Sequence, residues 1–544
     1  MRRDFVPGFV VAGLVAAVMV SGCGGSGSSG GASDAGGGSS GGGSAAYVTG
    51  GKLTELLSGD PGNLDPLTSV NSETQSIAAY AYDPIVNIAS SGAIVSGLAS
   101  QWTQAGNTYT FKIRQGVTCS DGSTLTPSTV AQNINFVADP QNKSPLTGTM
   151  VPAGAVATAS NSAGTLTVKV PTATPFFLHD LTALYIVCER GLKDPNTLAE
   201  GADGTGPYVL SNVVAGQSYS YKIRKGYSWG PGGASTTAEG VPAVVNMTVV
   251  TDQTTAANEL IDGQANIATV QGLASRPLSA AGLFNQATPE PAGELWFNQA
   301  KGEATASELV RKAVLSAMDL PTIGSVLTQN LGAPATGLVT FAPKPCPGNT
   351  VAGVLPSHSV ATANALLDQA GWKLGPGGIR TKDGKQLQLK MLYPNDNGGD
   401  PQSAFQLAGQ ELAKVGIKLT PVAETSTAAE GVVFGGGSWD MINLGLDIST
   451  PSMAVPFLSD TTPPKGQNFA AVNNSSYDSF VAKAMVLSGS TGCNDWDSAE
   501  KSLFSDADIA PFENANALTW GKGVTFHVIS GSVVPTSIHM LKNG

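Results

Sequence analysis

Apolar and polar residues alternate in several short stretches of this chain, and each such stretch predicts a half-buried β-strand. In residues 109–114, YTFKIR, every second side chain is apolar. The same period of two recurs in residues 166–170, 219–223 and 387–391. These stretches predict strands with one face on a core and the other face in solvent.

Between the strands, apolar residues recur three and four positions apart, which predicts helices. The clearest helix follows Asp400, a preferred N-cap residue, with Pro401 at its first position. It is predicted to end before Gly416, because glycine adopts the left-handed conformation that follows many helices. A second helix is predicted over residues 359–371.

A third helix is predicted over about 305–317. Thr305 and Glu308 have the spacing of a capping box, so the helix is expected to start there. Strands and helices therefore alternate along the chain, which is typical of an α/β protein.

The N-terminus has the composition of an export signal. An apolar run at residues 5–20 follows two arginines and ends in small residues before Cys23. Small residues before a cysteine resemble the bacterial lipobox, whose cysteine receives diacylglycerol. The run contains Pro and Gly and is short for a membrane helix, which needs about 18 apolar residues. We expect a lipoprotein signal peptide over residues 1–22, with Sec and twin-arginine export both open.

Residues 24–46 are almost wholly Gly, Ser and Ala. Such a segment buries too little apolar surface to fold, so we expect a disordered linker after the lipidated cysteine over residues 23–46. As a flexible coil it reaches roughly 25 Å. That length would hold a folded body clear of a membrane surface.

The formal net charge of the chain is −11 at pH 7. Nucleic-acid binding needs a basic face for the phosphates, so this charge argues against a nucleic-acid partner. No Gly-Lys pair is followed by Ser or Thr, and the four histidines lack metal-ligand spacing. We therefore expect no enzyme activity, no metal and no cofactor.

Four cysteines remain after the signal: Cys119, Cys188, Cys346 and Cys493. An even number in an exported chain indicates disulfides, with three possible connectivities. Four free thiols are the alternative. The spacings fit no zinc motif.

One stretch carries a specific resemblance. Residues 109–117, YTFKIRQGV, run into the turn SDG at 120–122, and together they resemble the signature of the peptide/nickel solute-binding proteins of ABC importers. That family is the oligopeptide- and dipeptide-binding one, extracellular family 5, of lipoprotein type. Further matches in family order are NLDP at 63–66, YDPIV at 82–86, LASQW at 98–102, GTGPY at 204–208, RKGYSW at 224–229, VRKA at 310–313, ALLDQAGW at 365–372 and GQNF at 466–469.

The resemblance implies an α/β, two-lobed, periplasmic-binding-protein-like (Venus-flytrap) fold with an extra subdomain in the first lobe. Lobe I would comprise residues 47–290, with the subdomain at about 86–200. Lobe II would comprise residues 291–519, and residues 520–544 would return to lobe I. Solute would be enclosed between the lobes by hinge closure.

The resemblance also implies a ligand contact. In residues 439–451, WDMINLGLDISTP, Asp447 matches the family aspartate that pairs with the free α-amino group of a peptide. A cap on the turn before Pro451 is the alternative role. Asn468 and Phe469 are weaker candidates for polar and stacking contacts with the ligand.

Under these lobe boundaries, Cys119 and Cys188 fall in lobe I, and Cys346 and Cys493 fall in lobe II. Either other connectivity would tie lobe to lobe and obstruct the hinge. The resemblance therefore predicts the disulfides Cys119–Cys188 and Cys346–Cys493.

The function implied is a monomeric, lipid-anchored receptor that captures peptides outside the cytoplasmic membrane and delivers them to an ABC permease. Its contact with the membrane would be through the lipid alone. Another solute, such as a metal chelate, an opine or an oligosaccharide, is the alternative within the family. A sensory or cell-wall lipoprotein without a transport role is the alternative outside it.

Overall fold

The computed structural model describes residues 47–69, 71–198, 201–395 and 398–542. The predicted signal peptide, Cys23 and the predicted linker lie outside these residues. None of the helices in the described ranges is long and apolar enough to cross a membrane.

The strands of the described residues are β1 (Lys52–Leu57), β2 (Val86–Ile88), β3 (Ile94–Ser96), β4 (Ala99–Ala105), β5 (Thr108–Ile113), β6 (Val156–Ser160), β7 (Thr165–Lys169), β8 (Tyr208–Val214), β9 (Ser218–Ile223), β10 (Val244–Val249), β11 (Ile267–Thr269), β12 (Phe284–Phe297), β13 (Ala333–Pro334), β14 (Lys373–Leu374), β15 (Arg380–Lys382), β16 (Lys385–Gln386), β17 (Gln388–Pro394), β18 (Lys418–Glu424), β19 (Met441–Asn443), β20 (Ile509–Gly521), β21 (Val524–Thr525), β22 (Val528–Ile529), β23 (Ser532–Val533) and β24 (His539–Met540).

The helices of the described residues are α1 (Ser72–Ala81), α2 (Pro127–Ala138), α3 (Phe177–Asp180), α4 (Glu189–Lys193), α5 (Gln253–Ile261), α6 (Arg276–Ala280), α7 (Glu308–Ala317), α8 (Leu320–Leu327), α9 (Val360–Gln369), α10 (Pro401–Ala413), α11 (Ser426–Phe434), α12 (Val455–Ser459), α13 (Ser475–Ala484) and α14 (Cys493–Ser505).

One large mixed sheet runs through the molecule in the order β18-β17-β19-β12-β20-β11-β1-β10-β9-β8, with β13 added to β20. β1 pairs parallel with β10 and β11, and β17 pairs parallel with β18 and β19. The other neighbours in this sheet are antiparallel.

The long strands β12 and β20 lie at the centre of this sheet and pair antiparallel from Phe284 opposite Gly521 to Trp296 opposite Ile509. The strands beyond β20 come from residues predicted for lobe I, and those beyond β12 come from residues predicted for lobe II. The predicted boundaries after residues 290 and 519 fall inside these two strands. On those predicted boundaries, β12 and β20 would carry the chain from one lobe to the other.

Residues within the predicted subdomain form a separate four-stranded antiparallel sheet in the order β4-β5-β7-β6. Helix α2 packs against this sheet through the buried side chains of Val130, Ile134 and Val137. The strands predicted from alternating residues are β5, β7, β9 and β17, so those four predictions are confirmed.

The predicted N-cap at Asp400 and the predicted end of that helix before Gly416 are confirmed. The Asp400 carboxylate accepts the backbone N–H of Ser403 at 3.0 Å, and Gly416 has φ +80°. Ser359 caps α9 by accepting the N–H of Thr362 at 3.1 Å.

The capping box predicted at Thr305 is wrong. Helix α7 begins at Glu308 after a short 3₁₀ turn, and its N-cap Ser307 makes no side-chain capping bond. The buried Thr305 hydroxyl instead donates to the carbonyl of Asn298 at 2.6 Å. Thr305 therefore bonds to Asn298 and does not cap the helix. The spacing of Thr305 and Glu308 cannot reveal this partner.

The structure contains the disulfides Cys119–Cys188 and Cys346–Cys493. The predicted pairing is confirmed. Neither bridge crosses the predicted boundary between lobe I and lobe II, so both are compatible with the predicted hinge.

Three of the quoted motifs meet at the buried carboxylate of Asp83 in lobe I. This carboxylate accepts hydrogen bonds from the Tyr227 hydroxyl at 2.5 Å, the Thr205 hydroxyl at 2.8 Å and the Trp229 indole at 2.9 Å. Burial raises the pKa of Asp83, and the three donors oppose that rise. These motifs build the scaffold of lobe I.

Candidate functional site

The candidate site lies where lobe II meets the crossing strand β12. Strand β19 pairs antiparallel with the end of β12, and the chain then continues along it. The N–H of Leu444 donates to the carbonyl of Glu294 at 3.0 Å, and the Asn443 amide donates to the carbonyl of Ala292 at 2.9 Å. A Cβ on Gly445 would lie 2.8 Å from Pro291, so only glycine allows this close approach.

This approach places Asp447 in an unusual environment. Its neighbours Leu446 and Ile448 are buried, with 8% and 3% of their surface exposed, while Asp447 is exposed. The carboxylate forms no hydrogen bond or ion pair with any residue in the described ranges. The surrounding protein nevertheless raises its pKa by desolvation. Asp447 is therefore a solvent-accessible, partly desolvated carboxylate without a counter-charge among the described residues.

Two further carboxylates of β12 lie close enough to interact with it. Burial raises the pKa of Glu290, and the negative charge of Asp447 raises it further. Glu294 is 1% exposed and accepts the N–H of Leu446 at 2.8 Å. Burial, opposed by that hydrogen bond and assisted by the charge of Asp447, raises the pKa of Glu294 to about 8. The site is thus a group of three acidic residues, which we call the acidic site.

The raised pKa of Glu294 predicts that stability falls as the pH rises. Its ordinary value is 4.5, so the folded protein holds a proton that the unfolded chain releases between pH 4.5 and 8. The stabilisation that this proton gives the folded protein is complete below pH 4.5, and it is lost as the pH rises from 4.5 through 8. We expect Glu294 to account for a loss on the order of 3 kcal/mol between pH 5 and pH 8. Urea unfolding of the ligand-free protein at several pH values measures this loss of unfolding free energy.

The control is Glu294→Gln, which keeps the acceptor for Leu446 and removes the titration. We expect this variant to lose about 3 kcal/mol less stability over the same pH range. A decline remains in the variant because burial also raises the pKa of Glu55 to about 7. An equally steep decline in the variant and the parent protein would contradict the assignment of that decline to Glu294.

The structure places Asn468 inside its own loop. Its amide donates to the carbonyls of Asp460 at 3.2 Å and Val472 at 2.8 Å, and it accepts the N–H of Val472 at 2.9 Å. The side chain is 3% exposed. Its hydrogen bonds therefore hold the loop.

Phe469 is also buried, with 5% of its surface exposed. Its ring lies 4.8 Å from that of Trp296 and 5.2 Å from that of Phe434, measured between centroids. The Trp296 indole donates to the carbonyl of Leu444 at 2.8 Å. Phe469 therefore supports, through Trp296, the segment that carries Asp447.

The predicted subdomain contacts residues predicted for lobe II away from β12 and β20. Phe176 is fully buried in an apolar cluster with those residues, and its ring centroid lies 6.0 Å from that of Trp496. The N–H of Gly489 donates to the carbonyl of Pro175 at 2.8 Å.

The sequence singled out Asp447 as a candidate ligand contact, which stays a prediction, and gave no signal for Glu290 and Glu294. These two residues join Asp447 only because β19 pairs with β12, and no local pattern signals that pairing. Within the described ranges, no group of three or more His, Cys, Asp or Glu side chains is placed to hold a metal ion.

Solved structures that superpose on this chain include peptide-binding proteins. The oligopeptide-binding protein AppA from Bacillus subtilis, solved with a nonapeptide, superposes with a TM-score of 0.64 at 17% identity. The superposition covers 92% of this chain and 100% of that one. The predicted two-lobed fold is confirmed.

Residues 93–468 match the family Bacterial extracellular solute-binding proteins, family 5 Middle, and the chain belongs to family 5 of these proteins. Glutathione-binding protein GsiB of Shigella boydii is 26% identical over 467 residues, 78% of this chain and 80% of that protein. Protein XP55 of Streptomyces lividans is 28% identical over 335 residues, 58% of this chain; the match spans 56% of XP55. The predicted family is confirmed.

Proposed function

We propose that this chain is the extracytoplasmic peptide-binding component of an ABC importer. It captures peptides between its lobes by hinge closure and delivers them to the permease. The observation that carries this proposal is the acidic site, where the exposed Asp447 and the half-buried Glu290 have no counter-charge among the described residues. A peptide α-ammonium supplies that charge while leaving the side chains of the ligand unrestricted.

The class of ligand is supported by the similar proteins. AppA is described in complex with a nonapeptide and GsiB as glutathione-binding. An anionic solute, such as a carboxylate-rich chelate, would instead meet two like charges at Asp447 and Glu290. The electrostatics of the site therefore favour a ligand with a cationic group.

Attachment to the membrane is part of the proposal. Cys23 follows an apolar run and small residues, so it would carry diacylglycerol on the outer face of the cytoplasmic membrane. The chain would act there as a monomer. Mass spectrometry of the N-terminal peptide tests the attachment, because an unmodified thiol or a cleavage elsewhere would refute it.

The proposed function predicts that peptides with a free amino end stabilise the protein and that N-acetylated peptides do not. A ligand at 100 times its Kd adds about 2.7 kcal/mol to the free energy of unfolding. Acetylation removes the positive charge that the acidic site needs. Thermal unfolding with matched free and acetylated peptides measures the difference, and equal shifts for the two forms would refute amine recognition.

A further inference from the structure

Phe176 and Phe177 are neighbours in the chain, yet they pack into different apolar clusters. Phe177 belongs to a cluster whose buried members come from residues predicted for lobe I and its C-terminal return. Phe176 belongs to a cluster whose other buried members lie between Trp296 and Ile509, in the range predicted for lobe II. Both phenylalanine side chains are 0% exposed. In the described part of the chain, Phe176 is thus the one buried member of these clusters that crosses the predicted lobe boundary.

Two hydrogen bonds near this ring cross the same boundary. The N–H of Gly489 donates to the carbonyl of Pro175 at 2.8 Å, and the Ser488 hydroxyl donates to the Gln104 side chain at 2.6 Å. These bonds and the ring contact join protein atoms on both sides, so they need no ligand. We call this set the latch, with Gln104, Pro175 and Phe176 on one side and Ser488, Gly489 and Trp496 on the other.

The C-terminal hairpin of β22 and β23 makes a further contact across the boundary. The N–H of Ser530 donates to the carbonyl of Ala342 at 3.1 Å. Ala342 lies four residues before Cys346, and Gly489 lies four residues before Cys493. The Cys346–Cys493 disulfide therefore ties together two segments predicted for lobe II, each of which contacts residues predicted for lobe I.

We propose that the latch holds the two predicted lobes closed whether or not a ligand lies between them, and that the Cys346–Cys493 bridge keeps the lobe II side of the latch in place. Opening at β12 and β20 would draw Phe176 out of its apolar cluster, and the hydrophobic effect opposes that exposure. Because the latch stabilises the closed arrangement alone, it raises ligand affinity from outside the acidic site. The inference rests on the hinge closure of the proposed function and adds the element that sets the closed fraction.

Small-angle X-ray scattering of the full chain without ligand tests the latch. Phe176→Ala should increase the radius of gyration, because the lobes part. Phe177→Ala is the matched control, since it removes an equally buried ring at the next position and should leave the lobes closed. In calorimetry with the peptide Ala-Leu-Phe-Ala, we expect Phe176→Ala to bind about tenfold more weakly than Phe177→Ala. A closed fraction that falls from about one half to about one-twentieth gives that change.

The two disulfides provide a second comparison. Replacing Cys346 and Cys493 together by Ser frees the two latch segments from each other and should also increase the radius of gyration. Replacing Cys119 and Cys188 together by Ser removes a bridge within the residues predicted for lobe I and should not. Equal radii for these two double variants would overturn the role given to the Cys346–Cys493 bridge.

A pair of exposed residues tests the latch without disturbing a core, and it decides the matter if Phe176→Ala does not fold. Gln104→Glu combined with Ser488→Asp places like charges across the latch and should open it. Gln104→Lys combined with Ser488→Asp places opposite charges there and should keep it closed. About 1 M salt should reduce the difference between the two variants, because it screens exposed charges.

Equal radii of gyration for Phe176→Ala and Phe177→Ala, or for the two charge variants, would overturn the latch and leave the proposed function intact. A larger radius in Phe176→Ala alone would support the latch, whatever the peptide does. Failure of Ala-Leu-Phe-Ala to bind the unmodified protein would count against peptide recognition and not against the latch, since the scattering measurement uses no ligand.

Discussion

Replacing Asp447 by Asn is expected to weaken peptide binding by about 30-fold or more. Removing one partner of a desolvated charge pair costs about 2–5 kcal/mol, because the other charge stays in place without compensation. The amide has nearly the shape of the carboxylate, and Asp447 forms no hydrogen bond with the described residues that the change would break. The loss should therefore appear in the Kd measured by calorimetry and leave the unfolding temperature of the free protein unchanged or slightly higher.

The matched control is Asp262→Asn, which makes the same change of net charge on an exposed residue at the end of α5. It should bind peptide like the unmodified protein. A Kd of Asp447→Asn within about threefold of the control value would show that the ammonium is held elsewhere.

Replacing Arg311 by Met is expected to destabilise the folded protein by about 3–5 kcal/mol, the cost of breaking a buried ion pair. The Arg311 guanidinium lies 2.7 Å from the Asp508 carboxylate, and the two side chains are 5% and 4% exposed. It also donates to the carbonyls of Ala507, Thr305 and Asp506. Methionine fills part of the volume but leaves these acceptors and one buried carboxylate unpaired.

The control for this change is the neighbouring residue. Lys312 pairs with Glu308 on the surface of the same helix, with 28% and 49% of the two side chains exposed. Lys312→Met should cost less than about 1 kcal/mol, since exposed pairs contribute little. Urea unfolding of both variants measures the contrast, and similar losses would refute the structural role assigned to Arg311.

The sequence by itself determined the local elements wherever the cause was local. The alternation of apolar and polar residues predicted β5 and β17, and the Asp400-Pro401 pair predicted the start of α10. Both signals act within a few residues of the chain. Disulfide pairing was also predictable, although only through the lobe boundaries that the family resemblance supplied. The start of α7 was not predictable from the sequence, because Thr305 bonds to Asn298 instead of capping the helix.

Tertiary structure alone decided the composition of the acidic site. Asp447 could be singled out from its motif, but Glu290 and Glu294 lie more than 150 residues away and reach it only through the pairing of β12 with β19. The raised pKa of Glu294 arises from burial beneath that segment, and burial is a property of packing. In the same way, only the fold showed that Asn468 hydrogen-bonds within its own loop and that Phe469 packs against Trp296. A ligand contact of either residue stays a prediction.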